Sequence, residues 1–215
     1  MKIRRHDYTA EVFGDWAKAA NDCYDTRPST VWCFRPGGNH TMSREPVSIL
    51  PFEGRRVRFE SSRSFEDVRT SLRHIVPRSM PFQGYQEAME NDGGLNLATF
   101  EKVVRTQLGD SGFTLFFEID HSQWLPLYGI KRKVLRWILG NPLIAVTMMR
   151  HDPEVGLFAP VELLLVDSEG GDGSTVIYDL PSALMAIGGN PPLLEAARVL
   201  DVKLRELVTR ATGVS

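Results

Sequence analysis

Hydrophobic residues recur along this chain with two periods, and each change of period marks an element. In "RRVRFE", residues 55 to 60, Val57 and Phe59 share one side of a period-two pattern, which predicts a strand. From Ser64 the period lengthens: Phe65, Val68, Leu72 and Ile75 form the stripe of an amphipathic helix. Ser64 and Asp67 resemble a capping box at its start, and the helix stops before Pro77. Residues 77 to 96, with "PRSMPFQGY" and "ENDGGLN", are rich in Pro, Gly, Asn and Asp and read as an inserted loop. Phe100, Val103, Val104 and Leu108 then make a second short helix, closed by Gly109.

"FTLFFEID", 113 to 120, is the clearest strand. Alternation sends Leu115, Phe117, Ile119 and His121 to one face and Phe116, Glu118 and Asp120 to the other, with Glu118 expected as a solvated or sheet-face carboxylate. "VLRWIL", 134 to 139, is a further strand. In Gly140-Asn141-Pro142, Asn can cap free backbone N–H groups and Pro is preset for helix, which predicts a helix from 142 to about 151, before Asp152-Pro153. "VELLLVD" and "STVIYDL" flank the turn "SEGGDG" as a hairpin. Asn190 and Pro191 open the longest helix, whose stripe of Leu193, Ala197, Leu200, Leu204, Leu207 and Ala211 runs to Gly213. Hairpin-linked strands interspersed with helices predict an α+β two-layer sandwich over 55 to 215 rather than a doubly wound parallel sheet. Residues 1 to 54 form an extension. Val12, Trp16, Ala19 or Ala20, and Cys23 share a helix face there, which fits a packed extension, a lid or an exchanged arm.

Composition narrows the classes. With 215 residues, 42% of them hydrophobic, the chain can bury a substantial core. Lys plus Arg number 25 against 27 Asp plus Glu, so no global charge draws it to nucleic acid or anionic membrane. No apolar run approaches the ~20 residues of a spanning helix, and the N-terminus lacks a signal-peptide core. Cys23 and Cys33 make no disulfide framework. A cytoplasmic protein without nucleic-acid or membrane partners is expected.

"FTLFFEIDH", "LGNP", "TMMRHDPEVGL", "PVELLLVD" and "STVIYDLPS" occur here in an order that resembles domain-of-unknown-function family 302. The resemblance implies a small α+β fold with one curved, mostly antiparallel sheet, a homodimer, and no agreed biochemical activity. It also implies a site where an Asp-His pair ends one strand and a Gly-Asn-Pro turn ends the next, matching Asp120, His121, Gly140, Asn141 and Pro142. The leader and the insertion at 77 to 96 depart from the family pattern.

Candidate chemistry centres on Asp120 and His121. A carboxylate beside an imidazole fixes its tautomer and raises its basicity, as general-base catalysis needs. Strand neighbours point to opposite faces, however, so the pair meets only if the chain turns after Asp120. The other reading is that Asp120 caps that turn and His121 donates to a backbone carbonyl. His151 and Asp152 form a mirror-image pair, and Met148 and His151 share a helix face that would line one cavity. The cluster Lys131, Arg132, Lys133 and Arg136 suits an anionic ligand or a solvated loop. Trp124, Lys131, Arg132, Asn141, Met148, Arg150 and His151 are thus the candidate substrate contacts. The His and Asp residues suit a metal by type, but no HxxxH or HxH spacing supports one, so neither metal nor cofactor is expected. "GDSG" at 109 to 112 and "EGGDGS" at 169 to 174 lack the context of a protease turn or a phosphate loop. The expected function is binding of a small organic metabolite, with cofactor-free acid/base catalysis by Asp120 and His121. The alternative is a non-catalytic ligand-binding or dimerisation module.

Overall fold

The computed structural model describes residues 47, 49–80, 82–94 and 96–214. The leader's helix face from Val12 to Cys23 lies outside them. Leu50–Ser215 forms one compact unit. Its sheet has five strands in the order β1-β5-β4-β3-β2: β1 is Arg56–Ser61, β2 Thr114–Asp120, β3 Val134–Gly140, β4 Val161–Asp167 and β5 Ser174–Asp179. All four ladders are antiparallel. Six helices accompany them among the described residues: α1 Phe65–Ile75, α2 Phe82–Asn91, α3 Leu97–Gln107, α4 Pro142–Met149, α5 Pro181–Met185 and α6 Pro191–Thr212. This is the α+β arrangement the sequence predicts.

The strongest local signals become elements for the reasons given. Ser64 Oγ accepts from the backbone N–H of Asp67 at 3.2 Å and starts α1. Asn190 Oδ1 accepts from Leu193 N at 3.1 Å, and Gly213 ends α6 at φ +71°, in the left-handed region a side chain rarely adopts. Leu193, Ala197, Leu200, Leu204, Leu207 and Ala211 are all buried. Together with Val68 and Leu72 of α1 they join Leu135, Trp137, Leu139, Leu163, Leu165 and Val176 of the sheet in one core. The same strands carry Arg136, Glu162, Leu164, Ile177 and Asp179 at the alternate positions, on the face away from that core.

Three expectations need correction. The insertion is not a loop: it contains α2, because Tyr85 and Met89, one helical turn apart, bury against Val103 and Val104 of α3. Gly84 lies in the first turn of that helix, and Asn91 ends it. α3 ends at Gln107, and Gly109 does not end it with a left-handed cap; a Cβ there would stand 2.6 Å from the Ile75 carbonyl oxygen, so Gly is required by close approach. α4 stops at Met149, earlier than predicted, and leaves His151 in the following turn.

The register of β2 also changes the picture. A bulge between Leu115 and Phe117 reverses the alternation. Leu115 is buried, whereas Phe117 is 65% and Ile119 39% exposed, opposite to the face expected for them. Residues beside the bulge are strapped by the preceding chain: Leu115 N donates to Pro77 O at 2.8 Å, and Ser79 N donates to Leu115 O at 2.7 Å.

Candidate functional site

The bulge turns Glu118 and Asp120 toward α1. Glu118, 9% exposed at its side chain, accepts from Arg69 Nη2 at 2.9 Å and from Arg73 Nη2 at 2.5 Å. Burial pushes its carboxyl up, and the hydrogen bonds and charges of Arg73 and Arg69 outweigh this and hold it below the ordinary value. Glu66 lies 3.9 Å from Arg69 and 3.0 Å from Lys133 Nζ, so the charges form one network joining α1 to β2 and β3. Of the two readings of Glu118, the sheet-face carboxylate holds and the solvated one does not: it is anchored under α1.

β2 ends at Asp120 and the chain turns into a short 3-10 helix, His121–Gln123. Asp120 Oδ1 caps that turn, accepting from Ser122 N at 3.0 Å, and Oδ2 lies 4.0 Å from Arg69. The His121 ring meets Trp124 edge-on, with centroids 5.7 Å apart. No hydrogen bond joins Asp120 to His121 among the described residues. Trp124, Leu127 and Tyr128 are exposed on the same connection.

The basic run is dispersed. Arg132 Nε donates to Asp167 Oδ1 at 2.8 Å, Lys133 pairs with Glu66, and Arg136 Nε donates to Glu162 Oε2 at 2.9 Å with a second bond to Oε1. Lys131 is exposed. Arg132 and Lys133 precede β3 and Arg136 lies within it, and each goes to a different carboxylate, so they do not converge on one anion.

Asn141 and Met148 share a cavity of about 20 Å³, near the size of one water site. Both polar ends of Asn141 are occupied: Oδ1 accepts from Leu143 N at 2.8 Å and Nδ2 donates to Gly112 O at 2.9 Å. Met148 is in the core, and His151, past the end of α4, is exposed; they do not line one cavity as the helix-face pattern predicted. Arg150 is exposed and donates from Nε to Val146 O at 3.3 Å. No group of three or more His, Cys, Asp or Glu with metal-binding geometry occurs among the described residues.

A larger space opens where the sheet divides. The β4–β5 ladder ends at the pair Leu164–Ile177. Beyond it β4 stays with β3 as far as the pair Val161–Leu139, and β5 stays with β1 as far as Asp179–Arg56. Pro160 and Pro181 stand just outside the parted ends, and proline cannot donate to a ladder. The resulting cavity, about 420 Å³, is lined by Leu157, Phe158, Val161, Leu184 and Met185 with the carboxylates Glu162 and Asp179. Asp179 is gripped by Arg56, whose Nε and Nη2 donate at 2.8 and 2.9 Å. Those hydrogen bonds hold the Asp179 carboxyl below the ordinary value. The cleft and the Asp120 turn lie at opposite ends of the sheet, since β2 and β4 both run from the cleft end toward Asp120 and Asp167. Sequence reading overlooked this cleft; its signal was an acidic residue two positions inside a proline at each strand end, Pro160 with Glu162 and Asp179 with Pro181.

An open antiparallel sheet with helices on one face and a cleft between two of its strands defines a small α+β protein with one exposed sheet face. The chain belongs to the family described as domain of unknown function DUF302, which it matches over residues 93–211, more than half its length. The crystal structure of an uncharacterised conserved DUF302 protein from Bacillus stearothermophilus is similar in fold, with TM-score 0.50 and 15% identity over 73% of this chain and 97% of that one. No curated protein matches the sequence. β1 and α1 precede the matched segment. No described helix is long and apolar enough to cross a membrane.

Proposed function

We propose that this protein binds a small organic molecule in the cleft between the parted ends of β4 and β5. The observation that carries this reading is the cavity of about 420 Å³, with seven apolar side chains, two of them prolines, and two carboxylates lining it. That volume falls in the range of small-ligand sites, where apolar walls supply affinity and a few polar groups fix orientation. The geometry favours binding over proton transfer by Asp120 and His121: the carboxylate is committed to the Ser122 cap, and the turn is a sheet's length from the cleft. Leu184→Trp, which fills the cavity, is the deciding variant. Ligand-observed NMR with a library of small organic compounds should give hits that this variant loses; hits that survive it, or no hits, refute the site. His121→Ala should leave those hits in place.

A second reading, homodimerisation, is favoured by Phe117 and Ile119, which expose apolar side chains on the uncovered face of an edge strand. Phe117→Glu should then convert a dimer to a monomer in sedimentation velocity. A wild-type monomer at high concentration excludes it.

A further inference from the structure

We infer that the ligand class of this cleft is an organic amine with an apolar body; the inference rests on the cleft being the binding site. The cavity carries the site, and its charges set the sign of the ligand. Glu162 and Asp179 line it, and no Lys, Arg or His does. The cations that hold these acids stand on the outer flanks: Arg56 reaches Asp179 from β1, and Arg136 reaches Glu162 from β3. Across the open face the order is therefore cation, carboxylate, gap, carboxylate, cation.

Like charges facing each other on adjacent strands repel, and here no ladder draws the strands together. Each guanidinium binds its carboxylate in two-pronged fashion, which fixes the acid, and each carboxylate oxygen keeps a further lone pair for another donor. A protonated nitrogen placed between Glu162 and Asp179 satisfies both. Its apolar body then occupies the space lined by Leu157, Phe158, Leu184 and Met185. A carboxylate ligand would meet two fixed anions at the same place. Glu162 and Asp179 also border the neighbouring groove, which Arg56, Arg58 and Arg136 line, so Arg58 is a third cation near the two acids although outside the cavity lining.

The test uses three probes of one skeleton: 4-phenylbutylamine, 4-phenylbutanol and 4-phenylbutanoate, titrated calorimetrically into the full chain. The amine should bind about tenfold or more tightly than the alcohol, and the carboxylate most weakly. Glu162→Gln should reduce amine affinity by about tenfold and leave the alcohol unchanged. Asp179→Asn should do the same, with circular dichroism checking that loss of its Arg56 partner leaves the fold intact. Equal binding of amine and alcohol, tighter binding of the carboxylate, or no effect of Glu162→Gln overturns the amine inference while the cleft stands. Absence of binding by all three probes, in wild type and variants alike, overturns the cleft reading itself.

Discussion

Replacing Glu118 by Gln tests whether the carboxylate under α1 holds helix and sheet together. The wild-type carboxylate takes hydrogen bonds from Arg69 and Arg73, and its side chain is 9% exposed. Gln keeps the shape and one acceptor but removes the charge, leaving two guanidiniums facing a neutral group. Breaking a fully buried ion pair from one side costs about 3–5 kcal/mol. Arg73 is 50% exposed and regains water, whereas Arg69 is 21% exposed and its Nε is already without a partner, so the Arg69 side dominates. A loss of roughly 2–3 kcal/mol follows, or about 5–10 °C in Tm for a domain of this size. Arg73→Gln should cost under about 1 kcal/mol, because its guanidinium is half in water. The pH dependence gives a second check. The folded carboxyl titrates below its ordinary value of 4.5, so its contribution is whole above that pH and is lost as pH falls through the folded value. In urea titrations followed by circular dichroism, the gap between wild type and Glu118→Gln should be constant from about pH 8 to about pH 5 and narrow below. A gap under about 0.5 kcal/mol at neutral pH, or one that widens in acid, refutes the anchoring role.

Asn141→Ala removes the α4 cap and the bond to Gly112 O, and should cost about 1–2 kcal/mol in the same titrations. Gly109→Ala drives a methyl into the backbone of Ile75, where nothing flexible yields, and should lower stability by about 2 kcal/mol or more; a neutral result would mean that the turn moves freely. Tyr178→Phe deletes a buried hydroxyl without a partner and should be neutral or stabilising by up to about 1 kcal/mol, read as an unchanged or higher Tm.

Elements whose signal is local were legible in the sequence. α6 has a cap, a stripe of about five turns from Leu193 to Ala211 set by side-chain period, and a terminal glycine, and each is a property of neighbouring residues. The hairpin of β4 and β5 was equally plain. α2 was not, since its stripe consists of little more than Tyr85, Ala88 and Met89 between helix-breaking flanks, and the partner that makes it a helix is α3. The bulge in β2 reversed every face assignment after Leu115, and it depends on strand pairing that no local pattern encodes. This is why simple alternation places Phe117 on the face of the buried Leu115, and why it does not turn Glu118 toward the arginines of α1. The cap role of Asp120 was foreseen as one of two alternatives and its link to Arg69 was not. The cleft escaped notice because it lies where two ladders stop agreeing, a fact about three strand pairings together.

The strap of residues 77–79 along the first half of β2 limits how far the sheet can extend from one molecule to the next. A bare edge strand carrying exposed Phe117 and Ile119 is a template for strand addition, and repeated addition makes filaments. Here the backbone groups of Leu115 are already taken by Pro77 and Ser79, so only the short run from Phe117 to Asp120 is left on that side. At the far edge β1 alternates Arg56, Arg58 and Glu60, charges that oppose stacking of like strands. The sheet is thus stopped at both margins by different means, and an encounter at the β2 edge can close on a single partner without seeding a fibre.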